Sequence, residues 1–541
     1  MTMPEIVLTA DRALFTDFSD MSFLGFGLCL PYRLVPKIIQ YNFLSPRVPV
    51  NREHRAKIAP YGLGKLEAAL LRSGFSRESV IITPPEHLEY VIDKETKAVG
   101  VHVVDPLGMA PVSWTLRSIF GGGITCTEYE FRSLMRRLNE LRKKNKYSYK
   151  IIVGGPGAWQ LRNKLYEFGI DVLYEGEGEK TAPKVFLDVI NGRKIPRRVL
   201  GEDVDNPSEI PTIKTASRNG IVQVMRGCPR RCQFCSPSMF KIKYVPIDNV
   251  IEETRLNLKA GAKHIDLVSE DILLYGARGI DVNEEKVLKL FSEVQKECER
   301  FWEKDHRPRA VFSHTSVATV LSAKNVVRRI TEICGYDSSR PIFPQIGFES
   351  GSPDIVRKYF IGKPRPWSAE DWPRMLIDAA YVMNENFWYP CYTYIVGFPG
   401  ELDKDYKATI KVIDEIHDAK LYVWTFPLLL VPMGGSLLDG KLDHTKLDEL
   451  SESALETIIV GWKHSIWVSK RLYRKLIEQT VPRGIKSKIL IRIGKYALNV
   501  LEKAIKSIES DPKIIEQSFS GVNIRDFGSF VQELFRLLVR G

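Results

Sequence analysis

The sequence predicts an α/β protein in three parts: a doubly wound domain, a partial barrel and a helical C-terminal region. Three observations support this prediction. Short apolar strand-like runs end in glycine turns, charged helical stretches lie between those runs, and the C-terminal part has no convincing strand. At 541 residues the chain is long enough for two to four domains. We place the parts at 1–205, 206–435 and 436–541.

The first part contains three buried-strand patterns and one charged helix. "AVGVHVVDPLG" (98–108), "YKIIVGGPGAW" (149–159) and "GIDVLYEGEGEKT" (169–181) are the strand patterns, and 128–146 is the helical pattern. Apolar strands that alternate with helices indicate a Rossmann-like parallel sheet, whose strand-end loops are open to a ligand. The proline- and charge-rich segment 195–211 predicts a linker.

The second part repeats strand–helix units over about 220 residues, at barrel-like spacing. Helical patterns at 247–259, 284–304 and 367–384 lie between the strand-like runs. The arrangement predicts a full or partial barrel, with functional residues at the carboxyl ends of its strands. The six runs are "GIVQVMRG", "HIDLVSED", "RAVFSHTS", "FPQIGFESG", "WYPCYTYIVGFPGE" and "YVWTFPLLLVP".

The composition is that of an ordinary globular protein, with 44% apolar and 27% charged residues. No uncharged apolar run reaches the roughly 18 residues that span a bilayer. The opening "MTMPEIVLTADRALF" lacks the basic region and apolar core of a secretory signal. Scattered cysteines favour a reducing compartment. We therefore expect a cytoplasmic protein.

The net charge of +12 is concentrated near the C-terminus. Between Lys463 and Lys506, twelve Lys or Arg face two acids, Glu478 and Glu502. Such a block indicates an anionic partner: membrane head groups, nucleic acid or an acidic protein. Within 485–508 the pattern is that of an amphipathic basic helix. Its apolar face is Leu490, Ile493, Ala497, Leu501, Ala504 and Ile508, and its basic face is Arg492, Lys495, Asn499, Lys503 and Lys506.

Three of the eight cysteines lie together in "RGCPRRCQFCSP" (226–237). Cys228, Cys232 and Cys235 form C-x3-C-x2-C directly after the first strand-like run of the barrel. Three thiolates can hold three irons of a [4Fe–4S] cluster and leave the fourth iron open to another ligand. The alternatives are a chance cluster in a loop and a zinc knuckle that lacks its fourth ligand.

Basic residues flank the cysteine triplet, and other cysteines lie singly in the chain. The basic neighbours of the triplet are expected to favour thiolates and to offset the charge of a cluster. Cys298 and Cys334 lie in helical patterns and are expected to be core thiols, whereas Cys391 lies on a strand-like run that could face the barrel cavity. The scatter of these thiols disfavours an auxiliary cluster. The basic neighbours are Arg226, Arg230 and Arg231.

The cysteine spacing on a first barrel strand resembles the radical S-adenosylmethionine (SAM) superfamily. The resemblance implies that the methionyl group of SAM chelates the open iron. It also implies that electron transfer from a reductant protein, not identified by the sequence, cleaves SAM. The product is a 5′-deoxyadenosyl radical that abstracts hydrogen from carbon. Phe234 matches the family's aromatic residue near adenine, with packing as the alternative role.

Three further segments resemble that superfamily in the expected order. "LVSEDILLYG" is similar to the second barrel strand, whose polar end faces the SAM amino group or the substrate. "IGFESGSP" is similar to the G-[IF]-E-S-G segment of cobalamin-associated and methylthio-transferring members, and "YIVGFPGE" to a late-strand G-x-P-G-E turn beside adenine. Taken singly, each could be a strand-end turn. Besides Phe234, the resemblance implies cofactor contacts for Ser269, Glu270, Asp271, Glu349, Ser350 and Gly397.

The first part resembles the cobalamin-binding domains that precede many radical SAM domains, in "VGGPGAW" and "DVLYEGEGEKT". The usual ligand motif of those domains, D-x-H-x-x-G, is absent. The chain has "VVDPLGMAP" at that place, and His102 precedes the turn. The resemblance therefore implies the fold and leaves cobalamin open. The cleft could bind cobalamin without a histidine ligand, or serve substrate or packing.

The opening "PEIVLTADRALF…MSFLGFGLCLP" resembles archaeal members with this domain. With the basic C-terminus, the chain resembles the glycerol dialkyl glycerol tetraether (GDGT) ring synthase family. That resemblance implies cyclopentane-ring formation in isoprenoid membrane lipids and peripheral association with the membrane. Saturated hydrocarbon has no acidic proton or leaving group, but its C–H bonds yield to a primary alkyl radical. The apolar stretch 422–435 would line a tunnel for the chain.

Two other functions are consistent with the sequence. One is a cobalamin-dependent radical SAM methyltransferase that acts on an unactivated carbon of a metabolite, lipid or protein. The other is a nucleic-acid modification enzyme that uses the basic C-terminus on phosphates. The basic block is a single helical stretch with no separate nucleic-acid module, so we expect lipid and membrane rather than nucleic acid as partners.

Overall fold

The computed structural model describes residues 3–304, 306–480 and 484–510. Its N-terminal domain is a six-stranded, all-parallel sheet in the order β3-β1-β4-β5-β6-β7. Its strands are continuous apolar runs because helices cover both faces. The strands are β1 (Ile6–Ala10), β3 (Val80–Ile82), β4 (Ala98–His102), β5 (Lys150–Gly154), β6 (Val172–Glu175) and β7 (Arg198–Leu200), and the short β2 (Ile58–Ala59) lies outside the sheet.

Two apolar cores flank this sheet, one on each face. Ile6 and Leu8 contribute to one core with α2 and α7, whereas Val7 contributes to the other with α3 and α5. The predicted doubly wound domain is confirmed. The segment expected to be a linker instead supplies β7 at the sheet edge. The helices are α1 (Lys37–Ile39), α2 (Tyr61–Arg72), α3 (Leu88–Val91), α4 (Pro111–Ile119), α5 (Cys126–Lys144), α6 (Leu165–Phe168) and α7 (Gly178–Ile190).

The second domain is a partial barrel of six parallel strands. Two three-stranded sheets, β9-β12-β13 and β14-β15-β16, are joined by a bridge between His314 and Gln345. Among the described residues β16 does not pair with β9, so one side of the barrel is open; we call this side the seam. The six strands are β9 (Ile221–Gln223), β12 (Ile265–Val268), β13 (Ala310–Phe312), β14 (Gln345–Glu349), β15 (Cys391–Val396) and β16 (Trp424–Leu429).

The remaining elements of this domain surround the barrel. A short antiparallel pair follows β9, and β8 pairs with β2 of the N-terminal domain. The minor strands are β8 (Ala216–Ser217), β10 (Met225–Arg226) and β11 (Lys243–Tyr244). The helices are α8 (Ile247–Lys259), α9 (Glu284–Glu299), α10 (Val317–Ser322), α11 (Lys324–Cys334), α12 (Pro353–Tyr359), α13 (Trp372–Glu385) and α14 (Asp403–Asp418).

The C-terminal part is a pair of packed helices, α15 (Glu452–Thr480) and α16 (Ile485–Ser510). Helix α15 lies against the last barrel strand, where the Ser465 hydroxyl accepts from the backbone N–H of Thr425 at 3.0 Å. In α16, Leu490 is buried and the predicted basic face is exposed. Ala497, which was predicted to lie on the apolar face, is exposed. The side chains of Ala504 and Ile508 lie outside the described ones. No described helix is long and apolar enough to cross a membrane.

Buried ion pairs join the N-terminal domain to the barrel. Glu177 binds Lys243 at 2.6 Å, and Arg226 donates to Glu179 at 2.5 Å. Both glutamates belong to the "EGEGEKT" turn after β6, and both partners flank the cysteine loop. On the other side, Thr115 of α4 accepts from the backbone N–H of Leu429 at 2.8 Å. The carboxyl ends of the sheet strands therefore face the barrel.

Candidate SAM and iron–sulfur site

The cysteine loop follows β9 at the carboxyl end of the barrel, clamped between two other loops. The backbone N–H of Cys228 donates to Pro237 at 3.2 Å, and that of Gln233 donates to Tyr359 at 3.0 Å. Arg230 extends across to the carbonyl of Arg365 at 2.6 Å. These bonds fix both flanks of the loop, so the three thiols are held at the mouth of the barrel.

The three thiols are neighbours in the loop. Burial raises the pKa of Cys228 to about 12 and also raises those of Cys232 and Cys235, and neighbouring thiols add to the rise at Cys228 and Cys232. Among the described residues no three His, Cys, Asp or Glu side chains stand at metal-coordinating distances. Binding of iron removes the protons of such thiols, so the affinity for the metal depends on pH.

A cation that the sequence did not reveal acts on the thiols. Burial raises the pKa of Cys232 and Cys235, and Lys363, which forms a buried ion pair with Glu349, offsets part of that rise. Arg226 and Arg230, expected to serve the thiolates, are directed elsewhere. Arg226 binds Glu179 and Glu177, and Arg230 binds backbone carbonyls. The expected role of these arginines is corrected, and Lys363 takes their place.

The ion pair depends on the backbone around Glu349. Glu349 has a φ of 62°, in the left-handed region, and the strand register shifts between Gly347 and Glu349. A Cβ atom at 347 would collide with both the Glu349 carboxylate and the Lys363 ammonium. The "G-F-E" sequence therefore provides the space in which a strained glutamate meets its lysine.

The three polar residues after β12 have different surroundings. Asp271 is buried and accepts from the hydroxyls of Thr315 and Thr319 at 3.1 and 3.0 Å, so it is already satisfied by the chain. The Ser269 hydroxyl and one Glu270 oxygen are buried without a hydrogen-bond partner. Burial raises the pKa of Glu270 to about 7. The unpartnered atoms fit a bound polar ligand; Asp271 instead braces the loop.

The neighbouring strand end adds two unpartnered atoms. The Ser313 hydroxyl and the Nδ1 atom of His314 follow β13 and are buried without a hydrogen-bond partner. Burial lowers the pKa of His314 to about 4, so its imidazole is neutral. Buried polar groups are rarely left unpaired, and four at two adjacent strand ends indicate a site shaped for a ligand. The donor and acceptor set fits SAM.

Three other residues implied by the resemblance occupy more structural positions. Ser350 is fully buried and its hydroxyl lies 3.4 Å from Thr409, away from the mouth. Gly397 donates its N–H to Glu401 at 3.0 Å, and its carbonyl accepts from Thr445 at 3.2 Å, so both backbone groups are used within the chain. The ring of Phe234 packs at 5.8 Å from that of Phe398, beside Gly397.

The inward-facing positions of the six strands form the lumen of the barrel. Along the strands, outward residues are buried under helices while most inward residues stay partly accessible. The inward positions of the first four strands are a mixture of polar and apolar side chains, and Cys391 is the first inward position of β15. The polar ones are Gln223, Asp266, Ser313 and Gln345, and the apolar ones are Ile221, Val268 and Val311. On β16, Phe426 and Leu428 are the inward positions, whereas Trp424 packs beside Trp467 of α15 and donates to Ser469 at 2.8 Å.

This alternation revises part of the expected tunnel. Leu429 is buried on the outer side of β16, where its backbone is held by Thr115, so Leu428 rather than Leu429 faces the lumen. Tyr422 lies before the strand, in an apolar cluster with Trp467 of α15. Of the predicted stretch, the inward positions of β16 line the lumen.

The carboxyl end of the N-terminal sheet is the place where a cobalamin would bind in a domain of this fold. Val104 and Pro156 are exposed there, which leaves an accessible cleft edge. His102, however, is packed between the Cα atoms of Gly62 and Gly155, close to both of its ring nitrogens. Burial lowers its pKa to about 4. The sheet therefore offers no axial imidazole from His102, and cobalamin is not assigned to it.

Comparisons with known proteins agree with this geometry. Residues 222–413 match the Radical SAM superfamily. A tRNA-2-methylthio-N(6)-dimethylallyladenosine synthase from Fervidobacterium nodosum is 23% identical over 405 residues, 69% of this chain and 86% of that protein. The ribosomal protein uS12 methylthiotransferase RimO of Thermosipho melanesiensis is 27% identical over 201 residues, 36% of this chain and 41% of that protein.

The fold resembles that of the radical SAM methyltransferase TsrM from Kitasatospora setae. The TM-score is 0.52 at 16% identity, with 80% of this chain and 75% of that chain covered. Another structure of TsrM, with cobalamin and a [4Fe–4S] cluster bound, gives a TM-score of 0.51. The chain thus contains a radical SAM domain, whose cofactors are a [4Fe–4S] cluster and SAM.

Proposed function

We propose that this radical SAM enzyme acts on the hydrocarbon chains of archaeal tetraether lipids and closes cyclopentane rings in them. The observation that supports the proposal is the two-sided lumen below the cysteine loop. Unpartnered polar atoms follow β12 and β13, whereas Phe426 and Leu428 present an apolar wall from β16. A polar cofactor and an apolar chain can therefore be bound side by side.

The chain's own residues position the cofactors and exclude water. When bound, the cluster and SAM supply a 5′-deoxyadenosyl radical that takes hydrogen from carbon. Cys228, Cys232 and Cys235 would hold the cluster, and Glu270 would face the positive charges of SAM. The buried Lys363–Glu349 pair places a fixed cation beside the thiolates. The apolar wall keeps the reacting carbons in a fixed arrangement away from solvent.

Ring closure has a definite stoichiometry. One ring removes one hydrogen from each of two carbons and forms one C–C bond between them. Two SAM molecules are therefore consumed per ring, giving two methionines and two 5′-deoxyadenosines that carry the hydrogens. Two electrons come from a reductant. About two 5′-deoxyadenosines per ring are expected from a coupled enzyme.

The reductant would dock on the outer face of the cysteine loop. The loops that clamp it expose both apolar and basic side chains: Met239, Phe240 and Lys241 on one side, Lys358 and Ile361 on the other. An electron carrier must approach the cluster closely, and an acidic one would complement this rim. A small acidic one-electron carrier is the partner that fits.

The membrane partner would meet the C-terminal helices. Arg492, Lys495 and Lys503 are exposed on α16, and α15 adds Lys470 and Arg474. Each basic residue near an anionic bilayer surface contributes on the order of 1 kcal/mol. The protein is proposed to be cytoplasmic and bound to the membrane surface, with nucleic acid an unfavoured partner.

The proposal is tested by expression in an archaeon whose tetraethers lack rings. Cyclopentane rings should appear with the wild-type chain and not with the matched Cys232→Ala variant, as measured by mass spectrometry of the extracted lipids. Acyclic lipids, from cells in which the wild-type protein is folded and cleaves SAM, would exclude ring synthesis.

A cobalamin-dependent methyltransferase is the second candidate. It is favoured by the likeness of the fold to TsrM, which is a radical SAM methyltransferase. Its signature is a methylated product and activity that rises with added cobalamin. The names of the sequence relatives also include tRNA modification; binding of RNA with a steep salt dependence would favour that activity here.

A further inference from the structure

The seam of the barrel is crossed by a segment from the N-terminal part of the chain. Arg218, just before β9, donates to the carbonyl of Leu14 at 2.8 Å, and Lys263, just before β12, pairs with Asp20 at 2.7 Å. Farther along, the ring of Phe26 stacks on that of Phe426 of β16 at 6.1 Å. Residues 14–34, which we call the seam segment, therefore run from the first barrel strand to the last.

The seam segment is firmly held, although its only regular structure is three 3-10 helices, Phe18–Asp20, Ser22–Cys29 and Tyr32–Leu34. The backbone N–H of Tyr32 donates to Ile124 at 2.9 Å, and the Ser19 hydroxyl donates to Phe43 at 3.0 Å. Phe18, Ser19 and Asp20 are three successive residues with φ of 52–65°, a conformation that non-glycine residues rarely adopt. Such a run persists only where its surroundings impose it.

Two aromatic rings of this fixed segment are partly exposed. Phe23 and Phe26 are 39% and 38% exposed, in the very apolar sequence "SFLGFGLC". Gly27, which follows Phe26, allows a close approach of the backbone: a Cβ atom there would lie 2.9 Å from Leu44. The backbone is thus pressed against the N-terminal domain while the two rings stay accessible beside the lumen.

Apolar surface continues from the seam to the basic helices. Leu24 of the seam segment shares an apolar cluster with Tyr473 of α15 and with Ile493 and Tyr496 of α16. The exposed basic face of α16 borders the same cluster. On the inner side, Phe426 continues the path from Phe26 into the lumen. The basic face of α16, the aromatic rings of the seam segment and Phe426 of β16 are therefore neighbours.

We propose that the seam is the entrance through which one hydrocarbon chain of a membrane lipid enters the barrel, guided by Phe23 and Phe26. This inference rests on the proposed function and specifies the route of its substrate. The anionic head group stays at the basic helices, whose charge is complementary, while the chain passes the two rings to reach the site below the cysteine loop.

The test places a photoreactive p-benzoylphenylalanine at 23, at 26 and, as a control, at 166. Tyr166 is 81% exposed and lies on α6, away from the seam. The proteins are irradiated with vesicles of equal parts diphytanoyl phosphatidylglycerol and diphytanoyl phosphatidylcholine, and adducts are located by mass spectrometry. Lipid adducts at 23 and 26, at least tenfold above those at 166, are expected.

Substitutions provide a second measurement. Phe26→Ser should lower ring formation per SAM cleaved by about tenfold, whereas Phe26→Leu, which keeps the apolar surface, should restore most of it. Tyr166→Ser should behave as wild type. Thermal melting shows whether Phe26→Ser is folded, and the Leu variant makes the test independent of that outcome.

The outcomes separate the two ideas. Adducts at 23 and 26 without rings from any variant support the entrance and overturn the ring-forming reaction. Ring formation by wild type, with Phe26→Ser fully coupled and no adducts at 23 or 26, overturns the entrance and leaves the reaction standing. Adducts equal at 23, 26 and 166 also overturn the entrance, because the vesicles then contact the protein without selectivity.

Discussion

The carboxyl end of the barrel and that of the N-terminal sheet are the same kind of surface, yet their polar groups are used differently. At the sheet end, Glu177 and Glu179 are bound by Lys243 and Arg226 of the barrel, although Asp105 keeps one unpartnered oxygen. At the barrel end, four side chains that follow β12 and β13 keep a buried polar atom without a partner, and the cysteine loop adds two more. The first four are Ser269, Glu270, Ser313 and His314, and the loop residues are Arg230 and Ser238.

The difference shows which of two similar clefts is prepared for a polar ligand. Parallel sheets of both kinds offer their strand ends to ligands. A chain that leaves buried polar atoms unpaired loses stability, so their accumulation at one end indicates a function there. At the end of the N-terminal sheet, Glu177 and Glu179 form ion pairs that join the two domains. Each of the following changes tests this contrast.

The largest effect is expected from the cysteine loop. Replacing Cys228, Cys232 or Cys235 with Ala leaves too few thiolates for the cluster and should reduce SAM cleavage to background. Iron content and 5′-deoxyadenosine formation measure this. Cys334→Ala, in the core of α11, is the matched control and should keep both. Full cleavage by the triple Ala variant would refute the radical assignment.

Next in size is the comparison of two buried ion pairs. Lys363→Met leaves the Glu349 carboxylate without its cation and should lower the free energy of unfolding by roughly 3–5 kcal/mol. Lys243→Met should lower it less, because Arg226 remains beside Glu177 at 3.4 Å. Lys363→Met should also abolish SAM cleavage per folded molecule, whereas Lys243→Met should retain it. Urea unfolding and 5′-deoxyadenosine formation are the two measurements.

The double variant Lys363→Met/Glu349→Leu separates structure from chemistry. Removing both charges should recover much of the lost stability, because no charge is then buried alone, but should not recover cleavage. Recovery of cleavage with stability would show that this pair only supports the fold. Equal loss of cleavage in Lys243→Met would remove the contrast between the two strand ends.

A pH effect of about tenfold is expected from Glu270. Burial raises its pKa to about 7, so the carboxyl is neutral at pH 6 and ionised at pH 8. Affinity for the SAM cation should therefore fall about tenfold from pH 8 to pH 6, one decade per unit below the pKa. Glu270→Gln should bind weakly at both values. Equilibrium binding of SAM gives the comparison.

Glu270 also makes the free energy of unfolding depend on pH, in the direction opposite to its effect on SAM affinity. The folded protein holds the Glu270 proton more tightly than the unfolded chain, so its contribution to stability is full at acid pH and is lost as pH rises through about 7. Asp266, whose pKa burial also raises to about 7, should contribute a similar slope. Asp266→Asn should flatten the slope without changing SAM affinity; a loss of affinity would place Asp266 in the cofactor site.

The smallest effect is expected from cobalamin. Because His102 is enclosed by the chain, we expect turnover without it and less than about a twofold change when it is added. The visible spectrum of anaerobically purified protein and activity with and without cobalamin measure this. A stoichiometric cobalamin band, with activity that depends on it, would favour the methyltransferase.

The barrel strands were predictable because their signals are local. All six predicted runs are strands, since each is a short apolar run that ends in a turn. In the N-terminal sheet β1, β3 and β7 were missed: β1 is five residues without a glycine turn, β3 is only three residues, and β7 lies in a segment rich in proline and charge. The sequence also does not show which residues of β16 face the lumen, because "FPLLLVP" is apolar throughout and does not distinguish Leu428 from Leu429.

Site residues were predictable only where one motif contains the whole arrangement. The cysteines are such a case. Lys363 is not, because its partner Glu349 lies fourteen residues away across a helix and only the fold brings them together. Ser350 and Asp271 sit in matching motifs, but they hydrogen bond to neighbouring helices rather than face the mouth. A motif locates a strand end; it does not determine which side chain there stays unpaired.

The seam segment also has a consequence for biosynthesis. A ribosome makes residues 14–34 before the barrel: β16, on which Phe26 rests, emerges about four hundred residues later, and the helices that share the apolar cluster of the seam segment later still. The nascent N-terminal domain must therefore carry two bare aromatic rings through nearly the whole of translation. A fragment that begins at residue 206 would contain all six barrel strands but would lack the seam segment that packs against them.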